Sequence, residues 1–202
     1  MTMRFDGAIA GVGTASGVRL VVGMWPDSPF GPIADVMVEH ADGHRQLIAP
    51  RAEVGEFIAS TYGFDDVLVE PTALRIDGDR WTVTTTSLTV TMHVGRRTAV
   101  GQLLSLVPRA LARQRWWCVV IDPAARAVRR GVRTHGSAGH GRHEYYCALD
   151  EHALAATTAV WRGEDLGALR PVTPPVRFGF GSTPSRPSLV RVTTLIDGAD
   201  GG

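Results

Sequence analysis

The stretch Trp25-Pro26-Asp27-Ser28-Pro29-Phe30-Gly31-Pro32 sets three prolines and a glycine between two apolar runs, residues 18–24 and 33–38. Each proline fixes φ and removes a backbone donor, so this segment is stiff before any packing is considered. A linker would be polar. This stretch carries Trp25 and Phe30, side chains that favour burial. It predicts a rigid, half-buried corner between two strands, around which the remaining chain can be arranged.

The flanks support that reading. Residues 5–24 read as a hairpin, with 7–13 short and flexible and 13–17 as its turn. Residues 33–39 and 45–49 pair across an Asp42-Gly43 turn, and 74–76 pairs with 79–83 across Asp77-Gly78. Residues 81–94 carry the densest strand signal. Six threonines interleave with Val83, Leu88, Val90 and Met92, and such residues suit a pleated surface far better than a helix. The apolar phase slips near Ser87, which predicts a bulge or bend. Residues 116–121, 144–149 and 189–196 read as further strands, and 153–161 as a strand or a short helix, with Thr157, Thr158 and Val160 favouring the strand. Val54, Phe57, Ile58 and Thr61 recur at helical spacing, with Pro50 before them and Gly63 after. Residues 98–115 also turn helical. Many short strands with Gly/Pro turns and about two short helices predict a mainly β (α+β) fold. The expected architecture is an antiparallel β-barrel or closed double sheet, with one domain over residues 1–196 and a flexible tail at 197–202.

Composition bounds the chemistry. Hydrophobic residues make up 44% and charged residues 20% of 202 residues, with a net charge of +1. Those values suit a soluble globular chain and argue against nucleic acid as a partner. No apolar run is long enough to span a membrane, and the N-terminus lacks a signal peptide's apolar segment, so a cytoplasmic location is expected. Cys118 and Cys147 are then expected as reduced core thiols. All 21 basic residues are arginine. This matches the bias of a high-GC genome such as an actinobacterium's. Lacking lysine, the chain can perform no Schiff-base chemistry and carries no phosphate-loop lysine. Gly11, Gly13 and Gly17 do not make a dinucleotide fingerprint, because the spacing is wrong and a strand follows.

Residues 20–38, Leu-Val-Val-Gly-Met-Trp-Pro-Asp-Ser-Pro-Phe-Gly-Pro-Ile-Ala-Asp-Val-Met-Val, resemble the segment of acetoacetate decarboxylase-like proteins in which a strand meets Ser-Pro-x-Gly-Pro and then another strand. Ser28, Pro29, Gly31 and Pro32 carry the resemblance, with Asp35 where that family tends to have an acidic residue. The resemblance implies a cone-shaped β-barrel with a central cavity, and often homo-oligomers. The family's decarboxylases use a Schiff-base lysine. Any relationship is therefore one of shape, without that reaction.

Candidate functional residues follow from strand parity and local composition. Asp35 and Glu39, with Arg177 and Arg191, would serve acid–base or anion-binding work if they point into a cavity with Trp25, and a carboxylate there would have its pKa raised. Charges on the solvent face of strands are the competing reading. Four of the seven histidines fall within residues 135–152, and His140, His143 and Glu144 offer imidazole and carboxylate ligands for a metal. Their spacing matches no closed site, and adjacent strand residues point opposite ways. Arg109, Arg113, Arg115, Arg126, Arg129, Arg130 and Arg133 form a basic region beside Trp116 and Trp117, read as a solvated face or a partner-docking face. No Gly-x-Ser-x-Gly elbow is present. The leading expectation is a barrel binding a small, organic, anionic molecule in an internal cavity, with no cofactor. The alternatives are a lyase or hydrolase on the same scaffold, and an interaction protein using the arginine-rich face.

Overall fold

In a computed structural model, which describes residues 2–128, 132–139, 141–179 and 181–198, the chain runs as follows. β1 (Thr2–Thr14), β2 (Arg19–Asp27), β3 (Ile33–Glu39) and β4 (Arg45–Ala49) form a meander, followed by α1 (Ala52–Ala59) and β5 (Asp66–Val69). β6 (Ala73–Asp77), β7 (Arg80–Thr84) and β8 (Leu88–Arg97) form a second meander. Then come α2 (Ala99–Ser105), α3 (Arg109–Ala112) and α4 (Arg115–Val128). β9 (His135–Ala138), the long β10 (Arg142–Trp161), the two-residue strands β11 (Glu164–Asp165) and β12 (Leu169–Arg170), and β13 (Ser188–Asp197) complete it.

All the strands join one 13-stranded sheet whose main path is β5-β4-β3-β2-β1-β13-β10-β8-β7-β6. The last long strand is inserted at its middle, pairing antiparallel with both β1 and β10. Only β4–β5 is parallel among the described pairings, with α1 as its crossover. The sheet is curled but open. β5 and β6 are its two edges and do not pair with each other, which corrects the expected closed barrel. They are joined by Glu70, Pro71 and Thr72, and the side chains of Glu70 and Thr72 are committed elsewhere. The Glu70 carboxylate accepts from Ser87 and Thr85 in the β7–β8 turn, and the Thr72 hydroxyl donates to the Ala34 carbonyl.

The proline corner connects β2 to β3. The Phe30 amide donates to Ser28 Oγ, the Ser28 hydroxyl donates to the Gly31 carbonyl, and Gly31 takes a positive φ of 75° that side-chain-bearing residues rarely adopt. Trp25 and Phe30 pack with Phe5 and Phe57. Inside the curl, Val12, Leu20, Val22, Val36, Val38, Val90 and Met92 are sealed from solvent.

Several local expectations give way. Residues 7–13 lie within β1 and are not a flexible segment. The phase slip near Ser87 is a turn between two strands, which lets Trp81 and Val83 on β7 and Leu88, Val90 and Met92 on β8 face one core. Residues 116–121 are helical and lie within α4, which continues through Asp122 and Pro123. In a strand, Trp117, Cys118 and Ile121 could not share one side; in α4 they do. The helices number four among the described residues, not two. Cys118 and Cys147 are disulfide-bonded instead of free, because α4 lies against β10 and brings Cα atoms 29 residues apart to 5.8 Å. Asp197, assigned to the tail, is the last residue of β13 and pairs with Thr2; residues 199–202 lie outside the described residues. Among the described residues no helix is long and apolar enough to cross a membrane.

Candidate functional site

The strands β3, β2, β1, β13 and β10 present a second face, opposite the sealed core, and here the side chains do not fill the space. Ile9, Val21, Met37 and Val190 form a floor. α2 and α4 roof it with Val100, Leu104, Trp117 and Ile121, and the proline-braced segment before β13 supplies Val176 and Phe178. A cavity of about 340 Å³ remains. The roof is fastened to β10 in two ways. Thr98 caps α2 by accepting from the Gly101 amide, while its hydroxyl donates to Glu151 Oε1 at 2.7 Å. The Cys118–Cys147 bridge holds α4, and both sulfur-bearing residues line the cavity.

The polar groups at the cavity converge on Glu144. This residue is 3% exposed, and both of its carboxyl oxygens receive the Tyr62 hydroxyl, at 2.7 and 2.8 Å. Burial pushes the Glu144 carboxyl up to about 7, against the opposing effect of the Tyr62 hydrogen bond. Tyr62 is in turn held well above its ordinary value, by burial first and then by Glu144. Tyr146, two residues along β10 and on the same side of the strand, is also raised by burial, with Glu151 and Glu144 adding to it. Its hydroxyl has no hydrogen-bond partner among the described residues and lines the cavity.

Asp35 lies close to Tyr62, outside the cavity lining. It is fully buried, and the Trp25 indole N–H donates to it at 2.9 Å. Burial pushes its carboxyl up to about 6. The pair needs Gly23 beside it: a Cβ there would stand 2.5 Å from Asp35 Oδ1 and 2.7 Å from Trp25 Nε1. The expected grouping of Trp25, Asp35, Glu39, Arg177 and Arg191 divides accordingly. Trp25 and Asp35 bond to each other. Glu39 forms a separate buried pair with Arg19 at 3.1 Å, and it accepts the Arg177 amide at 2.9 Å. The Arg177 side chain is 73% exposed, with its Nε 3.5 Å from Glu39. Arg191 is exposed on β13, one residue after Val190 and so on the opposite side of the strand. None of the five lines the cavity.

Of the expected metal ligands, the two that are described turn to different partners. His143 stacks on His135, with ring centroids 5.5 Å apart, while Glu144 turns to Tyr62. His140 lies outside the described residues, and His152 contacts the Gly95 carbonyl. Among the described residues no group of three His, Cys, Asp or Glu is placed to hold a metal ion. Three of the five described arginines of the basic region are paired: Arg113 approaches Asp6 at 3.6 Å, Arg115 pairs with Asp197 at 3.0 Å and Arg126 with Asp122 at 2.5 Å. Arg129 and Arg130 lie outside the described residues.

Sequence reasoning passed over Tyr62, Tyr146 and Glu151. One signal was available for the face they share. In β1 the residues Gly7, Ile9, Gly11 and Gly13 alternate with Ala8, Ala10 and Val12, so one side of the strand is nearly bare.

No protein-family model matches the chain, and no curated protein matches its sequence. Among solved structures, an acetoacetate decarboxylase from Legionella pneumophila subsp. pneumophila is similar over 96% of this chain and 84% of its own, at 10% identity and a TM-score of 0.45. A second acetoacetate decarboxylase structure is similar over 97% of this chain and 86% of its own, at 11% identity and a TM-score of 0.47.

Proposed function

We propose that the protein binds a small, predominantly apolar organic molecule in the cavity beneath α2 and α4. The observation that carries this reading is the cavity itself. Its volume falls in the range of small-molecule sites, its walls are mostly aliphatic and aromatic, and a few polar groups converge at one end. An unfilled space of that size beside a sealed core costs packing energy, which a bound molecule restores. The anionic ligand expected from sequence fits poorly, because the polar end presents the Glu144 carboxyl while Arg133, the cation of the described lining, is exposed.

Trp117 lines the cavity and reports occupancy by fluorescence. Titration with an environment-sensitive apolar dye is expected to give saturable binding at one site. Leu104→Trp, which fills the space from the roof, is expected to abolish it while the far-ultraviolet circular dichroism is unchanged. Dye binding that survives Leu104→Trp would place the dye elsewhere and remove the support.

A second reading, a lyase or hydrolase, is favoured by one observation: the Glu144 carboxyl, pushed up to about 7, is suited to both accepting and returning a proton near neutral pH. It would require turnover of a bound molecule that Glu144→Gln eliminates.

A further inference from the structure

Given that the cavity is a binding site, the chemistry of its polar end narrows what the occupant carries. A carboxylate has about four acceptor positions on its two oxygens, and Glu144 is offered one proton, shared from the Tyr62 hydroxyl. Among the described residues no arginine or histidine forms an ion pair with it.

Among the described groups around it, the carboxylates share its sign and the cations, apart from the exposed Arg133, are turned to other partners. Asp35, behind Tyr62, takes the Trp25 indole. Glu151 accepts the Thr98 hydroxyl, and Asp122 accepts from Thr134 and pairs with Arg126. Arg142 is turned to the Ser60 and Thr61 hydroxyls and lies over the Phe57 ring. His135 and His143 stack on each other and with Tyr145. Arg133 is exposed. Tyr62, Tyr146, Trp117 and Phe178 line the same space, a composition that attracts cations as well as apolar groups.

We propose that the occupant is an apolar organic amine, bound as its ammonium ion with its N–H groups on the Glu144 carboxylate. The ammonium supplies a counter-charge that no described residue supplies, and uses the acceptor positions that Tyr62 leaves open. An organic anion would meet a carboxyl of its own sign. An alcohol would satisfy the hydrogen bonds without the charge. The sign of the proton linkage follows. Below its pKa, Glu144 must release its proton to receive the ammonium, so amine affinity falls as pH falls; above it, the carboxylate is already charged and no proton leaves.

The test is calorimetric titration of the wild-type protein with hexylamine, hexan-1-ol and hexanoate, each in two buffers of different ionisation enthalpy. The amine is expected to bind tighter than the alcohol by about tenfold or more, the equivalent of one pKa unit of interaction. It should release nearly one proton per ligand at about pH 6 and almost none at about pH 8. Glu144→Gln is expected to remove both the proton release and the preference for the amine; should that variant not fold, the wild-type proton count still decides. Equal affinity for amine and alcohol, tighter binding of hexanoate, or amine binding without proton release would each overturn the amine assignment while leaving the cavity as a binding site. Failure of all three molecules to bind would overturn the binding reading and the amine with it.

Discussion

β1 and β2 show two opposite uses of the same strands. On one side, Ala8, Ala10, Val12, Leu20, Val22 and Met24 fit against the β6–β8 meander with almost no surface left exposed. On the other, Ile9 and Val21 floor the cavity, Gly23 makes room for Asp35 and the Trp25 indole, and Gly7, Gly11 and Gly13 admit the Met24 backbone, the Thr183 side chain and the Pro171 backbone. The first side is close-packed, and its side chains are interchangeable only with others of like volume. The second keeps volume unfilled and holds carboxyls where ionising them is costly. Such features stabilise nothing by themselves, which is why the difference between the faces separates a structural role from a functional one.

The largest expected effect lies on the packed side. Leu20 is fully buried, and Leu20→Ala is expected to cost about 3–5 kcal/mol in urea unfolding, the sum of lost transfer energy and the hole left behind. A loss below about 1 kcal/mol would mean that the interior of the curl relaxes freely and that the contrast between the faces is not one of packing.

The next effect lies on the cavity side and has the opposite sign. Glu144 has its carboxyl raised from the ordinary 4.5 to about 7 by burial. Its folded-state pKa exceeds its unfolded value, so the folded state holds the proton more tightly. That contribution is fully present below the unfolded value and is lost as pH rises through about 7. Glu144→Gln, which keeps an acceptor for the Tyr62 hydroxyl, is therefore expected to be nearly neutral at about pH 4 and to stabilise the protein by roughly 2 kcal/mol at about pH 8. Asp35, raised to about 6, has the same sign, so the variant should still lose some stability between about pH 4 and its folded value. Unfolding profiles of wild type and variant that run parallel across this range would show that Glu144 is not held in the protonated form.

How much of this was legible in the sequence differs between the faces for a physical reason. The packed side announces itself by period-two alternation, as in Val36 and Val38 or Val90 and Met92, and the turns by Asp42-Gly43 and Asp77-Gly78; all of these proved correct. The corner around Pro29 also held, since proline stiffness is local. The cavity side depends on partners distant in sequence. Tyr62 meets Glu144 across 82 residues and Cys118 meets Cys147 across 29, and no local pattern encodes either pairing. α4 was misread because residues 116–121 are apolar on all sides, a run too short for its period to discriminate. Its roofing role exposes Trp116, Val119 and Val120 to solvent while Trp117, Cys118 and Ile121 face inward, so hydrophobicity alone did not reveal which side was buried. Closure of the barrel failed for a similar reason. The side chains of Glu70 and Thr72, which join the two sheet edges, are spent on a distant turn and on Ala34.

The smallest effect sharpens the comparison most, because it uses the same substitution on the other side. Leu104 is half-buried and borders the existing space. Truncating it enlarges a hole that is already there and removes fewer contacts, so Leu104→Ala is expected to cost about 1 kcal/mol or less, against several for Leu20→Ala. Urea unfolding of the two variants side by side measures the difference. If Leu104→Ala cost as much as Leu20→Ala, α2 would have to sit tightly on the sheet in solution, with the cavity collapsed. A small cost would mean that α2 spans open volume, as a roof over a binding site must.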